Sequence, residues 1–143
     1  ILRRIDGMNA VALINPDNPS GSFILQKDML RIIDECRKKD VLCIIDESFV
    51  DSADGGIRYT LLDDDLLQKY TNLLVIKSIS KSYGVPGLRL GIAASANTEI
   101  LQKMRNQMPI WNINSMAEYF LQIHYMQTII WMPVIKLQKS GAA

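Results

Sequence analysis

Three short apolar runs, residues 10–14, 41–45 and 73–76, each stop abruptly at polar residues. Runs of this length bounded by turn-formers read as buried strands, and they are too short for buried helices. Between the first two, residues 27–39 carry Met29, Ile32, Ile33 and Cys36 at helical spacing, with Arg31, Glu35 and Lys38 on the other side. Strand, amphipathic helix, strand of this length is a βαβ unit, whose right-handed crossover makes the two strands parallel. A shorter helical stretch, residues 61–70, leads into the third run. A fourth run, residues 90–94, follows after a Gly- and Pro-containing connection. That connection is too short for a helical crossover, so the fourth strand is expected antiparallel to the third. The fold class is α/β, a mostly parallel sheet with flanking helices.

The chain divides into an α/β core, residues 1–96, and a helical segment, residues 97–143. Asn97 or Thr98 can cap a helix running to about Gln107, and Ser115-Met116-Ala117-Glu118 has the capping-box pattern. After residue 123 the amphipathic pattern decays and Trp131-Met132-Pro133 interrupts it, so the tail receives no element.

Composition excludes several classes. A net charge of +1 gives no electrostatic case for nucleic acid or an anionic membrane. No apolar run approaches the roughly 20 residues that span a bilayer. No signal-peptide pattern opens the chain, where Arg3, Arg4 and Asp6 intervene. Cys36 and Cys43 suggest neither a disulfide framework nor a metal site and read as core thiols, which fits a reducing, cytoplasmic setting. His124 alone builds no zinc site. Asp63, Asp64 and Asp65 crowd the first turn of a helix, where acids complement the dipole, and are not read as a cation site.

The chemistry lies where the runs stop. The first empties into Asn15-Pro16-Asp17-Asn18-Pro19-Ser20-Gly21, whose Asn-Pro and Ser-Gly steps forbid helix and force an ordered turn. The second ends in Asp46-Glu47-Ser48-Phe49. The third leads into Ser78-Ile79-Ser80-Lys81-Ser82-Tyr83-Gly84-Val85-Pro86-Gly87-Leu88-Arg89-Leu90-Gly91. Asn18, Asp46 and Lys81 each follow a predicted parallel strand, so they should line one sheet edge, the edge at which open α/β sheets bind ligands. Lysine forms Schiff bases with carbonyls, and arginine with hydroxyls suits a phosphate. One cofactor carries both an aldehyde and a phosphate: pyridoxal 5'-phosphate. On that reading Lys81 supplies the amine, Asp46 pairs with the pyridine nitrogen and Asn18 donates to the phenolic oxygen. Ser78, Ser80 and Arg89 hold the phosphate.

These three stretches, in this order, resemble the signature set of class I/II aminotransferases of PLP fold type I. The nearest likeness is to the histidinol-phosphate aminotransferase and threonine-phosphate decarboxylase branch, and it runs from about residue 9 to 123. The resemblance implies part of a PLP-binding large domain, its C-terminal half. It implies Lys81 as Schiff-base lysine and proton shuttle, Asn18 and Asp46 at the ring, and Ser78 and Arg89 at the phosphate, with Ser80 a further contributor. It also implies amino acid and keto acid substrates and a homodimer. Phe49 stands in the cofactor site where many relatives carry tyrosine, a feature shared with decarboxylase-like relatives. The family's upstream phosphate loop, its ring-stacking aromatic and its C-terminal small domain have no counterpart in this stretch. A decarboxylase of a phosphorylated amino acid and a non-catalytic PLP-sensing module are the alternatives.

Overall fold

The computed structural model describes residues 2–127. Four strands, β1 (Ala10–Ile14), β2 (Leu42–Asp46), β3 (Leu73–Ser78) and β4 (Gly91–Ala94), form one sheet in the order β1-β2-β3-β4. The first three are parallel and β4 runs antiparallel to β3, as the connection lengths require. In register, Ile14 pairs with Asp46, Asp46 with Ile76, and Ser78 with Gly91. The ends of three strands and the start of the fourth therefore lie on one edge.

Helix α1 (Gln26–Lys38) covers one face. Met29, Ile32, Ile33 and Cys36 are its buried residues. They share one core with Cys43 and Ile45 of β2 and with Leu73 and Val75 of β3. Each large apolar side chain buried there contributes about 1.5–3 kcal/mol relative to exposure. Helix α2 (Asp64–Lys69) seals the same core with Leu67, and the Asp63 side chain caps it by accepting from the Leu66 N–H at 2.9 Å. Cys36 and Cys43 are free, buried thiols.

A second, smaller core holds the chain beyond β3. Ile79 from a one-turn helix, α3 (Ile79–Ser82), packs with Leu90 and with Ala117 of α5 (Ser115–Gln127). Helix α4 (Thr98–Asn106) is capped by Asn97, whose side chain accepts from the Glu99 and Ile100 N–H groups.

Two expectations need correction. The sequence predicts a buried strand over residues 10–14, but β1 is an edge strand with one neighbour among the described residues. Its residues alternate between exposed and half-buried, and Ile14 is 47% exposed. The capping residue of α5 is Asn114 and not Ser115: its Oδ1 accepts from the Ala117 N–H at 2.9 Å, which leaves Ser115 as the first helical residue. The His124 side chain and the tail beyond residue 127, with its Trp131-Met132-Pro133 interruption, lie outside the described residues. No helix among the described residues is long and apolar enough to cross a membrane.

Candidate functional site at the carboxyl edge of the sheet

The loop after β1 is built by its first asparagine. Asn15 is buried and clamps Ile24 from both sides, its Oδ1 accepting from the Ile24 N–H at 2.7 Å and its Nδ2 donating to the Ile24 carbonyl at 3.0 Å. The Asn15 N–H donates to the Asp46 carbonyl at 2.9 Å, tying the loop to β2. Asn18 stands at the tip, exposed, and its amide makes no hydrogen bond among the described residues. One asparagine thus builds the loop and the other is left available.

Asp46 is the last residue of β2 and half-buried. Its Oδ1 accepts from the Ser48 N–H at 2.8 Å, which turns the chain sharply after the strand. Its second oxygen has no hydrogen-bond partner among the described residues. Ser48 then reaches the neighbouring strand, its Oγ accepting from the Ser78 N–H at 3.0 Å. The Ser78 hydroxyl itself has no partner among the described residues.

Lys81 lies on α3 and is exposed. Its Nζ sits 4.0 Å from the centre of the Phe49 ring, a cation–π contact, and forms no ion pair among the described residues. Arg89 precedes β4 with a left-handed backbone, φ 56°, and its guanidinium makes one long contact, 3.5 Å, to the Pro86 carbonyl. Ser80 differs from the others. It is 3% exposed, and its Oγ donates to the Leu90 carbonyl at 3.2 Å while accepting from the Leu90 N–H at 3.0 Å. Its hydroxyl anchors α3 to the residue before β4.

Lys77, Asp51 and Glu47 at this edge carry contacts that the sequence did not foretell, and Ser82 joins one of them. Lys77 is only 5% exposed, and its Nζ lies 2.8 Å from both carboxylate oxygens of Asp51. Ser82 Oγ donates to the same carboxylate. Burial pushes the Asp51 carboxyl up, but the Lys77 and Ser82 hydrogen bonds outweigh it and hold the group below its ordinary value. Glu47 is 2% exposed and accepts from Thr60 Oγ1 and the Leu61 N–H, each at 2.6 Å. Burial keeps its carboxyl above the ordinary glutamate value despite those bonds. One signal was available for Lys77. Strand side chains alternate, so Lys77 falls on the face of Leu73 and Val75, where a lysine requires an acid partner.

A carboxylate oxygen, an amide, an amine, a hydroxyl and a guanidinium, largely without partners, are thus gathered at the carboxyl edge of a parallel sheet. That is the arrangement of an α/β ligand-binding protein, and the donor set suits a ligand with a carbonyl, a basic ring nitrogen and a phosphate. The sequence profile of the aminotransferase class I and II family matches residues 2–128, and the chain belongs to that family. It is 42% identical over 120 residues to the CMP-5'-(3-aminopropyl)phosphonate synthase of Streptomyces rubellomurinus, covering 84% of this chain and 18% of that one. Its fold matches the histidinol-phosphate aminotransferase of Clostridium acetobutylicum with a TM-score of 0.69 at 28% identity, over 82% of this chain and 34% of that one. It matches the L-threonine-O-3-phosphate decarboxylase of Porphyromonas gingivalis with a TM-score of 0.70 at 25% identity, over 94% and 40%. The chain therefore spans well under half the length of these relatives. Members of the family are pyridoxal-phosphate-dependent aminotransferases and decarboxylases.

Proposed function

We propose that this chain carries part of the cofactor site of a pyridoxal-phosphate-dependent aminotransferase acting on an amino acid or amino-phosphate substrate. The observation that carries the reading is the set of available polar groups at one sheet edge: Asn18, the free oxygen of Asp46, Ser78, Lys81 and Arg89. Pyridoxal phosphate, when bound, supplies an electron sink that loosens bonds at the substrate Cα. Lys81 holds the cofactor through its amine and later moves a proton at that carbon. The free oxygen of Asp46 would pair with the ring nitrogen and favour its protonated form. Asn18 orients the ring through its oxygen substituent. Ser78 and Arg89 would hold the phosphate, and the Phe49 ring lies against the Lys81 amine. A contribution from Ser80 requires its hydroxyl to leave Leu90. An α/β core over residues 1–96, a helical segment from residue 97 whose part beyond 127 lies outside the described residues, keto acid co-substrates, a homodimer and a cytoplasmic setting belong to the same reading.

A second reading, decarboxylation of a phosphorylated amino acid, is favoured by Phe49. The ring beneath Lys81 carries no hydroxyl, so it cannot donate a hydrogen bond into the site. Similarity to the L-threonine-O-3-phosphate decarboxylase of Porphyromonas gingivalis supports it as well.

The test is to titrate the chain with pyridoxal phosphate, reduce with borohydride and map the labelled peptide. Label on Lys81 is expected, with weak binding because the chain spans a minor part of its relatives. Label concentrated on Lys77 or scattered over surface lysines would overturn the assignment.

A further inference from the structure

Two lysines leave β3 four positions apart, and the fold treats them in opposite ways. Lys77 is enclosed, and its Nζ is locked 2.8 Å from both Asp51 oxygens. Lys81 is exposed and rests its Nζ on the Phe49 ring with no acid in contact. The acid responsible, Asp51, sits in the first 3-10 turn after β2, Val50–Ser52. It also accepts from Ser82, the residue directly after Lys81. Two further links, Glu47 N–H to the Ile76 carbonyl and Ser78 N–H to Ser48 Oγ, lock the same two segments together. Glu47 is the other acid near Lys77, but Thr60 and the Leu61 N–H occupy its oxygens.

Only a neutral amine adds to a carbonyl carbon: the nitrogen lone pair forms the new bond, C=N follows, and the oxygen leaves as water. An ammonium held by a carboxylate has no lone pair to offer. We propose that Asp51 is a positioning residue that directs carbonyl chemistry to Lys81, by keeping Lys77 ion-paired and tying Ser82 to the same carboxylate. The proposal rests on the reading of Lys81 given above. The Asp51 carboxyl, held below its ordinary value against the effect of burial, is ionised and able to serve at neutral pH.

The test uses formaldehyde as the carbonyl probe, with dimethylamine-borane as reductant, on the 143-residue chain and on Asp51→Asn. Peptide mapping gives methylation at Lys77 relative to Lys81, and circular dichroism confirms the fold. In the parent, Lys81 should label and Lys77 should not. Asp51→Asn removes the charged partner held 2.8 Å from the Lys77 Nζ, so the Lys77 to Lys81 labelling ratio should rise severalfold. Asp51→Glu, which keeps the charge, should return the ratio toward the parent, a rescue that a purely steric role would not give. If Asp51→Asn does not fold, Asp51→Ser is read in the same way. Lys77 labelling equal to Lys81 in the parent, or Lys77 silent in a folded charge-removing variant, overturns the proposal. Formaldehyde needs no cofactor site, so the result stands apart from cofactor capture. A normal formaldehyde pattern with no pyridoxal phosphate trapped on Lys81 would defeat the functional reading alone.

Discussion

Glu47 is a buried acid whose ionisation is coupled to folding. Burial, partly offset by Thr60, the Leu61 N–H and the Lys77 charge, holds its carboxyl above the ordinary 4.5. The native state therefore binds this proton more tightly than the unfolded chain. The group's effect on stability is most favourable below 4.5, and stability falls as pH rises through the higher native value. Asp51 acts in the opposite sense: its lowered value stabilises above 3.8 and that contribution is lost as pH falls through the native value. Glu47→Gln keeps the shape and an acceptor for the Leu61 N–H. Urea unfolding over a pH series should show the variant gaining on the parent as pH rises from about 4.5; a pH-independent difference would refute the coupling. The placement of Asn18, Asp46 and Lys81 at one sheet edge was legible because each lies at or just beyond the end of an apolar run. The Lys77–Asp51 pair was not, because its partners lie 26 positions apart and meet only when β2 and β3 pair.

Among the elements, α1 and α4 were readable from periodicity and capping chemistry. Asn97 accepts two N–H groups at the start of α4, and Asn97→Ala should cost about 1 kcal/mol, read as a lower urea midpoint at unchanged slope. An unchanged midpoint would mean that α4 adds little to the cooperative unit. The one-turn α3 was not readable. Four residues cannot sustain a helix on local propensity. This turn forms because Ile79 is buried against Leu90 and Ala117, and because Ser80 hydrogen-bonds both polar groups of the Leu90 backbone.

At the scale of the whole molecule, large apolar side chains are exposed among the described residues. Ile110 and Trp111 are 95% and 92% exposed in the α4–α5 connection, and Met116 and Tyr119 of α5 are exposed as well. Such surface drives association at high concentration. The double substitution Ile110→Ser with Trp111→Ser should change unfolding free energy by less than about 0.5 kcal/mol while sharply reducing concentration-dependent sedimentation. Equal association by the variant would show that other surfaces drive it. The sequence by itself determined the strand order of chemistry, the parallel pairing and the antiparallel return, because apolar periodicity and connection length are local properties. It also determined which polar residues end the runs. Only the tertiary structure decided that Ser80 anchors Leu90, that β1 is a half-exposed edge, and that Asp51 holds Lys77 while leaving Lys81 free. Those outcomes depend on which neighbours fill the space around a side chain, and distant segments supply them.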